Sequence, residues 1–520
     1  MQGKIFLALL FGLLLGLSWP TEGFTPLIFI AFVPLLLLFK KIKTVGSWQF
    51  FALFFLGFLT WNAITTWWLW NATVFGMFFA MIVNALLMAC VMVAWKRIDR
   101  KLGAKAGLIF VPLIWVCFEK LHLTWDFSWP WLNLGNAFSE QPNWIQWYEY
   151  TGSFGGTLWV WCVNISIYQT LLHFVTHKKV GKKWVPAFLL IFIPILTSWV
   201  ILRTYQPEQN ETITVTVVQP NIDPYNEKYA LSNQDLYNRL IKQIGPALNK
   251  NTDLIVTPET YFSEGSGEYF PNFEQSKLYT DLLSFATANK LQFLHGIQFY
   301  NTYSAAEKTE SANKLHNGIW ADFYNAAFLT DSTNLHVYHK SKLVVGVETL
   351  PYRSLIEPVL GNIMLDFGGT IFTRATQRER AAFPVYSGAA VGPIICYESV
   401  YGAFVTGYVR QGATFLAIIT NDAWWGVTPG HRQHLSYARL RAIETRRPIV
   451  RAANTGISGF VSPLGEISHK LAYNTDGIAT KTIVPQTKIT FYTRYGDYIY
   501  RIGGFVAGLM FLFSFSRQKK

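Results

Sequence analysis

Three ionisable residues of different chemistry stand where short apolar stretches give out. Glu259 follows DLIVT (253–257), Lys340 follows NLHVYH (334–339) and Cys396 follows AVGPII (390–395). Short apolar runs of this kind read as buried strands, and open α/β sheets place their chemistry just beyond strand ends. A carboxylate, an ammonium and a thiol are the parts that acyl transfer through a thioester needs: base, fixed cation and nucleophile. Cys396 carries two further marks. It is the only one of the 4 cysteines in the polar part of the chain, since Cys90, Cys117 and Cys162 fall in or beside apolar runs. It also precedes a helical stretch through Gly407, and a helix N-terminus lowers a thiol pKa. By residue type alone, a buried small hydrophobe is the competing reading.

Residues 211–490 supply the scaffold. TITVTVVQ (212–219) alternates as a strand does. DLIVT, the stretches 291–297 and 326–329, NLHVYH, AVGPII and TFLAIIT (414–420) are further short strands between longer polar segments with helical character. Strand, sharp turn, helix, strand is an α/β unit. About 280 residues suffice for one large core.

The motifs around the three residues resemble those of the nitrilase, or carbon–nitrogen hydrolase, superfamily: TPET with Glu259, YHKSKLVVGVE with Lys340, and GPIICYESVY with Cys396. TNDAWWG (420–426) and the stretch 434–466 resemble the C-terminal part of that domain. VQPNID (218–223) and WPWLNLG (129–135), together with apolar runs on both sides, are similar to one branch, the apolipoprotein N-acyltransferases. This resemblance covers nearly the whole chain. It implies an α-β-β-α sandwich joined to a polytopic helical membrane domain. It implies catalytic roles for Glu259, Lys340 and Cys396, and supporting roles for Glu348, Tyr397 and Glu398. Tyr229 and Asn421 are candidate substrate contacts. The implied reaction is a ping-pong transfer of a fatty acyl chain from a phospholipid, through a Cys396 thioester, to the N-terminal amine of the diacylglyceryl-cysteine of an apolipoprotein. A membrane-tethered amidase using the same triad with water is the alternative. The pattern departs at two places. The family's LVPFGE reads LVVGVE here, which keeps the Glu at 348, and Lys228 is followed by Tyr229 where Trp is usual. The stretches 301–321 and 360–385 are long for the pattern.

A site of this kind needs a membrane to bring it lipid, and composition supplies one. The 520 residues are 51% hydrophobic and 14% charged, against about 25% charged in soluble chains. Apolar runs lie near 4–19, 25–39, 49–69, 72–95, 106–122, 150–175, 185–202 and 499–516, most of them near the 17–25 residues a spanning helix takes. A cleavable leader is the other reading of the first run, but no small-x-small site follows it. Residues 1–205 hold 15 Lys/Arg against 6 Asp/Glu, a net +9 of the total +13. These positives cluster after alternate runs: Lys40/Lys41/Lys43, Lys96 to Lys105, Lys178 to Lys183, and the tail after 516. Such alternation puts both termini in the cytoplasm and the polar domain on the outer face. The expected organisation is therefore a membrane domain at 1–204, an extracytoplasmic catalytic domain at 205–497, and a last span with a basic tail at 498–520. A bacterial inner membrane with the domain in the periplasm is the matching location. The tryptophans at 125, 129, 131, 144 and 147 read as an interfacial belt, and Tyr269, Phe270 and Phe273 as either core or lipid-dipping residues.

The remaining features exclude rather than assign. No GxGxxG, GxxxxGK[ST] or CxxC occurs, so no nucleotide or cluster cofactor is called for. His431 and His434 lack companions at metal-ligand spacing. Arg446, Arg447 and Arg451 read as structural. Basic charge sits between apolar runs and not on a polar fold, which argues against nucleic acid as a partner. The expected partners are a phospholipid and a lipid-modified protein, met by a monomer.

Overall fold

The computed structural model describes residues 1–516 apart from 180, 229, 249–250, 316–317, 331–333, 353–354 and 356–372. Two compact units emerge. One comprises Met1–Trp70, Val74–Tyr205 and Tyr495–Lys520, the other Asn71–Thr73 and Gln206–Arg494.

The first unit is helical. Among the described residues, seven segments are long and apolar enough to cross a membrane: Thr25–Ile42, Ser47–Asn71, Val74–Leu102, Ala104–Thr124, Ser153–His177, Gly181–Thr204 and Tyr498–Ser516. The first apolar run forms Gln2–Leu17, a 16-residue helix. It rises about 24 Å at 1.5 Å per residue, short of a hydrocarbon core of about 30 Å. The second run is a broken helix, because Pro34 cannot donate to the preceding turn. Asn164 repairs the break from a neighbouring helix. Its Oδ1 accepts from Phe32 N at 2.8 Å, and its Nδ2 donates to Ile28 O at 2.9 Å. Freed backbone groups at membrane depth need such partners.

The WPWLNLG stretch is folded inward. Buried Glu119 accepts from Leu134 N at 2.7 Å, from Thr157 Oγ1 at 2.7 Å and from Trp115 Nε1 at 3.1 Å. Trp131 is fully buried and stacks on Trp129 at 5.7 Å. None of the five tryptophans expected to form a belt is fully exposed. The part of the loop at 130–139 is buried, held to the adjacent helix by the Glu119 carboxylate, while Trp125, Trp129, Trp144 and Trp147 are half-buried.

The second unit contains two sheets. In the first the order is β14 (Gly477–Ile483), β1 (Ile213–Gln219), β2 (Leu254–Val256), β4 (Gln292–Tyr303), β6 (Trp320–Leu329) and β5 (Asn313–Lys314). β3 (Glu268–Tyr269) and β7 (His336–His339) pair at its side with β4 and β6. In the second the order is β13 (Ile467–Ser468), β12 (Gly459–Val461), β11 (Ile449–Ala453), β10 (Phe415–Thr420), β9 (Ala390–Ile395) and β8 (Phe383–Pro384). β1, β2 and β4 run parallel, as do β9, β10 and β11. The sheets meet through β1 against β11 and β6 against β9. Helices Asn233–Leu248 and Lys277–Ala288 cover the first sheet, and Gly402–Arg410 and Pro429–Thr445 the second. The layers are helix, sheet, sheet, helix. All seven strands read from the sequence form, each within a few residues or as part of a longer strand.

The apolar sequence of parallel strands follows from burial on both faces; β2 and β10 are buried throughout. Pro393 sits inside β9, a position a central strand disfavours. It is accommodated because β8 pairs only with Ala390 and Val391, leaving that flank of β9 free of a ladder at 393. Phe273, one of the candidate lipid-facing rings, is buried against Phe299 and Phe328. Phe270 packs on Phe299 and His339. The core reading holds for both.

One close approach fixes the loop after β2. A Cβ on Gly296 would lie 2.1 Å from Pro258 O and 2.7 Å from Thr260 N. Both are backbone atoms and cannot rotate away. Gly296→Ala is expected to displace Glu259 and to cost about 2 kcal/mol through overpacking. A thermal melt in detergent together with the catalytic activity that depends on Glu259 would check this: both should fall, with activity falling more.

Candidate active site

Each candidate residue leaves the end of a strand towards the same region. Glu259 lies three residues beyond β2, Lys340 directly beyond β7, Cys396 directly beyond β9 and Asn421 directly beyond β10. The Lys340 ammonium is the meeting point. Its Nζ is 2.9 Å from Glu259 Oε1 and 2.8 Å from Glu348 Oε2, with Lys340 only 1% exposed. Asn325, in the middle of β6, donates through Nδ2 to both carboxylates, at 2.7 Å to Glu259 and 3.0 Å to Glu348. Backbone amides complete the set. Asn421 N donates to Glu259 Oε2 at 3.1 Å, and Val344 N to Glu348 Oε2 at 2.9 Å. Burial works against the charge on Lys340, but Glu259 and then Glu348 outweigh it and hold the ammonium firmly protonated.

Cys396 sits at a strained turn. Its φ of 51° is left-handed, a conformation that costs a non-glycine residue of order 1 kcal/mol. The turn is over-determined by Glu398, whose fully buried carboxylate takes five donors. These are Ile395 N (2.8 Å), Ser341 N (2.6 Å), Lys342 N (3.3 Å), Tyr338 OH (2.7 Å) and Tyr408 OH (2.8 Å). One carboxylate thus ties the cysteine turn to the segment that follows Lys340. Tyr397 is buried with its ring edge-on to Tyr401.

The electrostatics of the thiol differ from the expectation drawn from a helix N-terminus. Burial, followed by the charge of Glu259, pushes the Cys396 pKa well up, and Lys340 and a hydrogen bond with Thr420 offset this only in part. The helical stretch expected after the cysteine is present, as a 3-10 turn, Cys396–Val400, followed by the helix Gly402–Arg410, but burial and the Glu259 charge outweigh any helix-end effect on the thiol. The surroundings of Cys396 favour its neutral thiol.

Beneath the turn lies a second buried network. His434 Nε2 is 2.8 Å from Ser399 Oγ and 3.2 Å from Cys396 O, and its Nδ1 is 3.1 Å from Asp422 Oδ1. Arg451 Nη2 donates to Asp422 Oδ2 at 2.8 Å. Burial opposes the Asp422 charge, but the Arg451 guanidinium, then His434, holds its pKa well below the usual carboxylate range. Arg446 and Arg447 spend their guanidinium groups on backbone carbonyls such as Pro463 O and Ala413 O. His431 stacks on Tyr473. Among the described residues no group of three or more His, Cys, Asp or Glu is arranged to hold a metal.

Sequence reading passed over several residues of the site. Lys228 is buried, and with Glu259 and Asn454 it lines a small recess beside the triad. Burial brings its pKa down to about 8 against the pull of Glu259. Asn454, directly beyond β11, donates to Ile222 O and accepts from Ile222 N. Its place after a strand was the available signal; Asn325, inside a strand, offered none. Tyr229 lies outside the described residues, as do residues 360–372 of the stretch 360–385.

Comparison with known proteins agrees with this architecture. Residues 11–166 match the family model of the apolipoprotein N-acyltransferase N-terminal domain, and residues 214–490 that of carbon–nitrogen hydrolases. An apolipoprotein N-acyltransferase of Chlorobaculum tepidum is 28% identical over 99% of this chain and 97% of its own length. One of Rickettsia prowazekii is 30% identical over 75% of this chain and 73% of its own. An amidase structure from Nesterenkonia sp. aligns with 57% of this chain and 99% of that one, at 14% identity and a TM-score of 0.39. The chain belongs to the carbon–nitrogen hydrolase family, in its apolipoprotein N-acyltransferase branch. It is an acyltransferase and a multi-pass membrane protein of bacterial type.

Two measurements follow from the charges. Because the Cys396 pKa is raised, its alkylation by iodoacetamide in the absence of substrate should climb about tenfold per pH unit from pH 6 to 9 without a plateau; peptide mass spectrometry resolves it from the other cysteines. A plateau below pH 8 would mean a thiolate at rest. Asp422 has a depressed folded pKa, so its contribution to stability is present above its unfolded value of about 4 and is lost as pH falls below that. Arg451→Met strands the carboxylate and should cost about 3 kcal/mol at pH 7, a loss that shrinks towards pH 3 in melting experiments.

Proposed function

We propose that the enzyme moves a fatty acyl chain from a phospholipid to Cys396 and then to the α-amine of the diacylglyceryl-cysteine at the N-terminus of a lipoprotein. The observation that carries this reading is the buried Lys340, fixed between Glu259 and Glu348 beside a thiol whose pKa burial raises. In the first half, Glu259 takes the thiol proton as Cys396 Sγ attacks the ester carbonyl. The tetrahedral oxyanion forms against the Lys340 ammonium and a backbone N–H near Tyr397. Collapse breaks the ester C–O bond, and Glu259 returns the proton to the departing lysophospholipid oxygen. In the second half, the amine attacks the thioester carbonyl, Glu259 accepts an amine proton, and Cys396 leaves and is reprotonated.

Glu348 holds Lys340 in place and charged. Glu398 sets the geometry of the turn. Asn421 Nδ2 is buried without a hydrogen-bond partner among the described residues, which makes it a donor for bound substrate, and Tyr229 is retained as a second contact. Membrane helices on both sides of the catalytic segment keep the site near two membrane-anchored substrates, so tethering replaces diffusion. The basic clusters favour a catalytic unit, residues 205–497, on the periplasmic side of the inner membrane. No cofactor takes part, and a monomer suffices.

The test is the intact mass of purified protein after incubation with phospholipid alone, beside Cys396→Ser. A fatty-acyl adduct on the wild type only, discharged by a diacylglyceryl-cysteine peptide, is expected. An unmodified wild type would replace the lipid donor with hydrolysis of a small amide.

A further inference from the structure

A cavity of about 320 Å³ adjoins the site, and its lining includes Gln298, Leu315, Phe323, Val347, Glu348 and Arg374. Its size is at the lower end for small-ligand sites, suited to a polar headgroup more than to a whole lipid. Two polar atoms there are buried with no hydrogen-bond partner among the described residues, Arg374 Nη1 and Gln298 Oε1. Gln298 is only 7% exposed, and its amide orientation is set by Nε2 donating to Ser266 O at 3.0 Å. Arg374 is anchored to the catalytic segment by its backbone N, which donates to Glu348 O at 3.0 Å. The Arg374 charge is felt by Glu348 and helps keep its carboxylate ionised, but no Glu348 oxygen lies within hydrogen-bond reach of Arg374 Nη1.

An unpaired donor with a positive charge and an unpaired acceptor are thus lodged in one cavity, beside the apolar side chains of Leu315, Phe323 and Val347. The complementary ligand carries an anion, a hydrogen-bond donor and an apolar stem. We propose that this cavity is the headgroup subsite of the acyl donor: Arg374 binds the phosphodiester of a glycerophospholipid, and Gln298 Oε1 accepts from a hydroxyl or ammonium of the headgroup. A guanidinium matches phosphate oxygens in geometry as well as charge. Through Glu348 the subsite is coupled to the Lys340 ammonium, so a seated headgroup places the adjoining ester within reach of Cys396. This assignment rests on the phospholipid-donor reading above.

The experiment is single-turnover acylation of Cys396 in detergent micelles, followed by intact mass. The donors are a glycerophospholipid and a diacylglycerol of the same acyl chains, and the enzymes are the wild type, Arg374→Gln and Arg374→Lys. The wild type should prefer the phospholipid. Arg374→Gln should reduce that preference at least tenfold, and Arg374→Lys, which keeps the charge but not the fork, should fall between. Equal losses on both donors would overturn the proposal and make Arg374 a support for Glu348. A loss confined to transfer from the preformed thioester to acceptor peptide would overturn it in favour of an acceptor subsite. A wild type that phospholipid does not acylate would remove the donor reading itself, a failure visible without any Arg374 variant.

Discussion

Everything in the catalytic unit answers to one constraint: an ammonium, Lys340, buried away from water. An isolated charge at that depth would be prohibitively costly. Two carboxylates neutralise it, and those carboxylates must themselves be satisfied, which calls on Asn325 and on the amides of Val344 and Asn421. These groups come from both sheets and from loops far apart in sequence. The sandwich exists, in functional terms, to hold strand ends close enough for that accounting to balance. A cation so fixed needs no reorganisation when negative charge develops on a reacting carbonyl, and this is the principal way such sites lower a barrier.

The same logic explains the depth of the supporting structure. Cys396 adopts a left-handed conformation that its own side chain does not favour. The turn persists because Glu398 binds it to the Lys340 segment and because His434 reaches the cysteine carbonyl from below. Cys396 and Lys340 are thereby placed by one carboxylate, so an error in either is shared by both. In the membrane unit, Glu119 performs an analogous task for the WPWLNLG stretch, satisfying a backbone amide and two side chains at once.

Much of this was legible in the sequence, for identifiable reasons. Glu259 and Cys396 could be read because the parallel strands β2 and β9 are apolar, so a polar residue beyond their ends stands out, whereas Lys340 follows the antiparallel, half-buried β7 and was legible through its motif. The membrane segments announced themselves by length and by loop charge. What could not be read were roles set by distant partners. Asn325 lies within a strand, where nothing local distinguishes a bridging amide from a tolerated polar residue. The five donors of Glu398 include groups 56 to 60 residues away. The state of the Cys396 thiol was misjudged because the sequence shows the turn that follows it but not the burial and the Glu259 charge that dominate. The hold that Glu119 has on the WPWLNLG stretch was likewise not legible in composition, because it depends on a carboxylate of the neighbouring helix.

The raised thiol pKa has a bearing on durability as well as on rate. Oxidants, adventitious disulfides and electrophiles react with thiolates far faster than with thiols. A nucleophile that ionises only when a neighbouring base accepts its proton spends its idle time in a form those reagents largely ignore. Low intrinsic acidity in Cys396 therefore acts as a chemical safety catch.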